Sequence, residues 1–232
     1  MVESFSSRTE LLLGAEGVEK LRSSHVALFG IGGVGGAAAE ALVRAGIGEL
    51  TVVDMDSVCE SNLNRQIISL HSNIGEKKCD AAAKRLLDIN PDLKLHCHPV
   101  FYGKENADDF DFAQFDYIAD AIDNVTGKLL LVERAVKYGI PMIACMGTGN
   151  KLDPTRLRVS DLSKTSVCPL ARVMRIELRK RGISHLRVVW SDEPPMKVDA
   201  PHPASVSFVP PVAGYLMARE MILTLCGKEE LL

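Results

Sequence analysis

The stretch LFGIGGVGG at residues 28–36 constrains the fold of this chain more than any other segment. Glycines at 30, 32, 33, 35 and 36 follow the apolar run HVALF and precede the helix-forming run AAAEALVRA, which Gly46 stops. A turn from a buried strand into a helix needs glycine where φ is positive, and where an anion must approach the backbone with no Cβ in the way. Gly30, Gly32 and Gly35 fit GxGxxG, so the free amides at the helix start would face that anion. Taken alone, the pattern serves a dinucleotide, a flavin or a nucleoside triphosphate equally.

The apolar stretch at 50–53 reads as a second strand ending at Asp54, 22 residues beyond Gly32, which suits an acceptor for a ribose hydroxyl. Downstream, the periodicity predicts a helix over 76–89, strands over 93–97 and 115–121, a helix over 125–138 and a strand over 141–145. The later part predicts a strand near 157, a helix over 168–181, a strand over 187–190, a proline-rich loop and a final helix after Pro211. Strands alternating with helices predict an α/β fold, a doubly wound, mostly parallel sheet built on a Rossmann-like βαβ unit with right-handed crossovers. In such sheets ligands bind beyond the carboxyl ends of the strands, where the glycine turn, Asp54 and Asp123 fall. With 232 residues, 47% of them hydrophobic, the chain can bury one sizeable core. A single domain over 1–232 is expected, with a nucleotide-binding core at 1–150 and a substrate-side extension at 151–232.

No apolar run approaches the roughly 18 residues of a spanning helix, and the amino end lacks the basic start and apolar stretch of a secretory signal. A cytoplasmic protein without membrane contact is expected. Six cysteines without a CxxC pair then read as reduced thiols rather than a disulfide framework or a zinc site. His96 and His98 flank Cys97 and would share one face of a strand, but the sequence offers them no second ligand pair. The net charge of −3 hides an asymmetry: ten Lys or Arg residues between 151 and 190 stand against Asp153, Asp161 and Glu177, leaving +7 in that segment. A polyanion could be held there.

Immediately after the second strand the chain runs DMDSVCESNLNRQ at residues 54–66. This segment resembles the signature of the ThiF family, the adenylating enzymes related to ubiquitin-activating enzymes. The resemblance implies an ATP site in which Gly30, Gly32, Gly33 and Gly35 form the phosphate turn and Asp54 holds the ribose. Ser61, Asn62 and Arg65 would contact the phosphates, Lys78 in GEKKCDAA would hold them from the next helix, Asp123 in DAIDN would bind Mg²⁺ or orient the pyrophosphate, and Asn124 would belong to the nucleotide site. Arg65, Lys78 and Asp123 are the catalytic candidates. The chemistry asks for such residues: when a carboxylate attacks the α-phosphate, charge builds on the departing pyrophosphate and fixed cations must meet it. A guanidinium makes two parallel bonds to phosphate oxygens, a lysine acts as a mobile point charge, and an aspartate joins the phosphates only through a metal. Arg8, in SSRTELLLG, matches an amino-terminal arginine that reaches the nucleotide of a neighbouring subunit, which implies a homodimer.

Within that family, activators of sulfur-carrier proteins usually bear two late CxxC pairs, which this chain lacks. The segments at 153–183 and 205–218 instead resemble the tRNA threonylcarbamoyladenosine dehydratases, a likeness extending from Ser7 to about Leu225. It implies activation of a threonyl carboxylate on a modified tRNA adenosine, with ATP and Mg²⁺ and room for a monovalent cation or a sulfur-relay protein. The basic segment then acquires a partner. On a helix over 168–181, Arg172, Arg175 and Arg179 would form one stripe for tRNA, with Lys164, Lys180, Arg181 and Arg187 nearby. Cys168, before Pro169 at the helix start, is a candidate thiolate, against the commoner inert, buried cysteine. Three other functions stay open on the residues alone: adenylation of a Gly-Gly carrier terminus, a nicotinamide-dependent oxidoreductase sharing the glycines and Asp54, and a nucleotide-regulated adaptor.

Overall fold

A computed structural model describes residues 4–200 and 202–232. Its elements run α1 (Ser7–Ser23), β1 (His25–Phe29), α2 (Gly33–Ala45), β2 (Glu49–Val53), α3 (Lys78–Ile89), β3 (Lys94–His98) and β4 (Tyr117–Asp120). They continue with α4 (Val125–Tyr138), β5 (Met142–Cys145), β6 (Leu157–Asp161), α5 (Pro169–Lys180), β7 (Arg187–Ser191) and α6 (Val209–Leu225). The seven strands form one sheet in the order β3-β2-β1-β4-β5-β7-β6, parallel except where β6 returns against β7. This is the expected doubly wound α/β arrangement: β1 lies between β2 and β4, and its carboxyl end opens onto the glycine turn.

Alternation along β1 divides the core. Val26 and Leu28 pack with α2, α3 and α6 on one face, whereas Ala27 and Phe29 pack with α4 and α5 on the other. All five β1 residues are buried, as a central parallel strand covered on both faces requires. Helix α6 begins one residue before Pro210 and Pro211, which sit in the first turn where no intrahelical amide is lost. It lies unusually close to α2, because a Cβ at Gly214 would stand 2.2 Å from the Val34 carbonyl oxygen.

Helix α1 is the element that the periodicity does not announce. Its three consecutive leucines and two glycines break the helical apolar stripe, and Gly14 takes φ +79°, kinking the helix. Only Gly17, Val18 and Leu21, beyond the kink, are buried; Leu11 and Leu12 before it stay 86% and 84% exposed. Among the described residues, no helix is long and apolar enough to cross a membrane.

Candidate active site

A cavity of 690 Å³ lies beyond the carboxyl ends of β1, β2, β4 and β5, and the segments that follow those strands line it. Gly30, with φ +89°, turns so tightly under the segment after β4 that a Cβ would stand 2.7 Å from the Ala121 carbonyl oxygen. Gly32 differs: an added Cβ would meet nothing nearer than Gln66 Nε2 at 3.7 Å, so local packing does not require glycine there. Its bare side lines the cavity at the amino end of α2, the place where backbone amides and the helix dipole attract an anion.

Asp54 lines the same cavity, its carboxylate braced by backbone: Oδ2 accepts from Ile31 N at 2.8 Å and Oδ1 from Asp56 N at 2.9 Å. Lys78 opens α3 only 6% exposed, and its Nζ donates to Asp56 Oδ2 at 2.7 Å. Arg65 enters from the loop after β2, with Nη1 donating to Ser61 O at 2.8 Å and to Asn64 Oδ1 at 2.9 Å. Asp123 is exposed on the cavity wall, whereas Asn124 also serves as the cap of α4, its Oδ1 accepting from Gly127 N at 2.6 Å. Gly30, Gly32, Gly33, Asp54, Asn62, Arg65, Lys78, Asp123 and Asn124 thus converge on one cavity.

Three expected residues stand apart from that wall. Ser61 is turned out by the 3-10 turn over Glu60–Asn62; its carbonyl holds Arg65 and its hydroxyl lies 3.2 Å from Cys59 Sγ. Gly35 lies behind the turn, where a Cβ would stand 1.9 Å from Gly30 O, so its task is packing. Arg8 is exposed on the first half of α1 and does not line the cavity. Conversely, Asp56, Gln66, Val100, Phe101 and the 202–205 segment line it without having been singled out. Asp56 and Gln66 belong to the signature segment at 54–66, whereas Val100, Phe101 and the 202–205 segment carry no local motif and arrive through the fold.

Beneath the cavity floor Lys128 is wholly buried, donating to Asp120 Oδ2 at 3.1 Å and to Cys145 O at 2.7 Å. It therefore joins the ends of β4 and β5. Burial raises the pKa of Asp120 above the ordinary carboxylate range, with Lys128 pulling the other way, and burial pushes the Cys145 thiol up to about 12. Cys168 is 3% exposed and packs within the core on the α4–α5 side, behind the cavity-lining Gly147, and does not itself line the cavity. Lys151 is buried and donates to the Glu193 carbonyl; desolvation lowers its pKa.

The basic segment is less cationic in space than in sequence. Arg156 and Arg158 pair with Asp192, Lys180 with Glu177, Arg181 with Glu133 and Glu177, and Arg187 with Glu220. Arg175 turns inward to Thr165, donating to its carbonyl at 2.9 Å, which interrupts the expected stripe. Counting charge along the chain missed acids supplied from beyond the segment. Among the described residues, Lys164, Arg172 and Arg179 have no acidic partner.

The ThiF family profile matches residues 6–232. A tRNA threonylcarbamoyladenosine dehydratase of Bacillus subtilis (strain 168) is 40% identical, the match covering 97% of this chain and 95% of that protein. Crystal structures of E. coli tRNA N6-threonylcarbamoyladenosine dehydratase, TcdA, are similar in fold at a TM-score of 0.90 both in complex with AMP and in complex with ATP. Those chains are 31% and 32% identical, and each match covers 97% of this chain and 95% of that one.

Proposed function

The chain belongs to the ThiF family, and from that membership we infer an ATP-dependent dehydratase that cyclises threonylcarbamoyladenosine in tRNA. The observation that carries this reading is the single cavity holding the glycine turn, Asp54, Arg65, Lys78 and Asp123, in a chain matched over nearly its whole length by such a dehydratase. The threonyl carboxylate attacks the α-phosphate of ATP, giving an acyl-adenylate and releasing pyrophosphate. The ureido group of the same substituent then closes on the activated carbonyl and AMP departs, so the modified base loses one water overall. This second step is intramolecular, so proximity supplies its rate without an enzyme nucleophile, in keeping with the buried Cys168.

In this reading the amides around Gly32 and Gly33 cradle phosphate oxygens and Asp54 accepts from the ribose. Arg65 and Lys78 neutralise the pyrophosphate as its charge grows. Asp123 offers the oxygen donor that a hard cation prefers and would hold Mg²⁺, which supplies further charge neutralisation along the phosphates. Arg65 and Lys78 have no comparable task around a dinucleotide.

Mass spectrometry of nucleosides tests the reaction. Incubation with ATP, Mg²⁺ and tRNA bearing the linear modification should yield the nucleoside lighter by one water, with AMP and pyrophosphate in equal amounts. Pyrophosphate released on adding a Gly-Gly carrier protein but not the modified tRNA would instead favour carrier activation.

Lys164, Arg172 and Arg179 are the cations available to an RNA backbone, because their charge is not spent on neighbouring acids. Replacing Arg172 and Arg179 with alanine should weaken tRNA binding and reduce the slope of log K against log salt by about 2, since each phosphate contact contributes about 0.9. An unchanged slope would place the RNA elsewhere. Arg8 lies on the turn that also exposes Leu11 and Leu12, and such an uncovered apolar edge supports a homodimer in which this segment reaches a second copy. The sedimentation mass of the intact protein reads that state directly.

A further inference from the structure

At the opposite end of the strands from the cavity, His25, Glu49 and His96 bring three ligand atoms together from β1, β2 and β3. The register accounts for the meeting. His25 pairs with Glu49, and Thr51, two residues further along β2, pairs with His96. Alternate strand residues share a face, so all three side chains leave the sheet on the side of Ala27 and Phe29. His25 Nδ1 lies 3.6 Å and His96 Nε2 2.8 Å from one and the same oxygen, Glu49 Oε1. The three ligand atoms all fall within 4.8 Å of one another.

The surroundings hold this arrangement in place. Thr51 Oγ1 stands 2.8 Å from His25 Nε2, which fixes the ring so that Nδ1 faces the carboxylate. Phe115 packs edge-on against the same imidazole at 4.9 Å between centroids, and Asp116 Oδ2 accepts from the His25 backbone amide at 2.7 Å. Glu49 Oε2 faces the exposed Lys94 at 4.0 Å, leaving Oε1 to the two imidazoles. His25 is buried and His96 exposed, so the cluster is walled on one side and open to water on the other.

We propose that His25, Glu49 and His96 bind a borderline divalent transition metal of the Zn²⁺ type, joining the edge strand β3 to β2 and β1. Two imidazole nitrogens and a carboxylate oxygen suit Zn²⁺ or Co²⁺, whereas Mg²⁺ and Ca²⁺ prefer oxygen throughout. Bonds of about 2.0–2.2 Å in a tetrahedron set ligand atoms roughly 3.3 Å apart, so the 2.8 Å hydrogen bond opens by about half an ångström and the 3.6 Å separation closes slightly. Water completes the fourth position on the open side. Histidines 96 and 98 looked unpartnered in the sequence because the other two ligands come from neighbouring strands, 71 and 47 residues before His96.

The test uses the full chain, free of any tag and of nucleotide, titrated with Zn²⁺ by calorimetry and with Co²⁺ by visible absorption. One equivalent should bind, Co²⁺ should show the strong bands of tetrahedral coordination, Zn²⁺ should displace it, and the melting temperature should rise with Zn²⁺. Loss of a partner that merely orients a ligand weakens metal sites about 10–100-fold, so Thr51→Val should fall in that range and His96→Ala or Glu49→Gln should cost at least as much. His98→Ala, altering the next histidine on that face, should leave binding unchanged. Melting without metal and ATP binding confirm that each variant is folded. Absence of stoichiometric binding to the folded protein, affinity unmoved by His96→Ala, or affinity lost with His98→Ala would each overturn the assignment and leave a hydrogen-bonded triad alone.

Discussion

Arg65→Ala is expected to lower substrate-dependent pyrophosphate release by about 10²-fold, the usual cost of removing one preorganised electrostatic group and equivalent to about 2.7 kcal/mol of barrier. The expectation rests on how the guanidinium is held. Nη1 serves both local acceptors, Ser61 O and Asn64 Oδ1, which leaves Nε and Nη2 for a ligand in the cavity. A side chain fixed before the substrate arrives needs little rearrangement as charge develops, so the loss should fall on turnover more than on folding. Its partners are two neighbouring loop residues, and the melting temperature should therefore barely change. Arg65→Lys keeps the charge but not the planar fork, and should recover only part of the rate. Turnover near normal for Arg65→Ala in single-turnover measurements would remove Arg65 from the proposed mechanism.

Lys128→Met is expected to cost about 3–5 kcal/mol of stability in denaturant unfolding, because it strands the wholly buried Asp120 without its cation. Adding Asp120→Asn should restore most of that loss, since the amide oxygen can still accept from Ile122 N while the charge is gone. The pH dependence has a definite sign. Burial already raises Asp120 and Lys128 opposes the rise, so in Lys128→Met the folded-state pKa climbs further above the unfolded value. A carboxyl group shifted upward favours folding below its unfolded pKa and loses that contribution as pH rises through the folded value. The deficit of Lys128→Met should therefore be largest at neutral pH and shrink towards acid pH. Equal losses for the single and double variants would show that the pair's charge is not what the floor depends on.

The legible parts of the structure are those whose reasons lie close together in sequence. Strand, glycine turn, helix and terminal aspartate occupy residues 25–54, and each local preference there agrees with the fold, so the α/β class and the cavity's place could be read. Arg65 and Lys78 were legible only through the resemblance of residues 54–66 and the following helix start to the ThiF signature, and both line the cavity because that loop and α3 return to the same strand ends. Lys128 was not, since a lysine within an amphipathic helix looks like a solvated residue until β4 and β5 close over it. Val100, Phe101 and the 202–205 segment reach the cavity only through tertiary folding. The basic segment misled for a related reason: Glu133 from α4 and Glu220 from α6 neutralise arginines far from them in sequence. Helix α1 escaped because its outer half exposes leucine where a periodic pattern expects polar residues.

The close seat of α6 against α2 has a consequence for biosynthesis. Helix α2 is made early, yet Ala38 and Leu42 share a core with Val209, Ala213 and Met217 of a helix that begins at residue 209. At about 5–20 residues per second, translation of the intervening stretch takes roughly 10–35 s. During that interval the nascent chain presents a sticky, uncovered helix and a glycine turn lacking the wall that Pro210 later provides. For that time Ala38 and Leu42 lack the apolar partners that α6 brings, and the cavity is complete on the Pro210 side only once this last helix has been made.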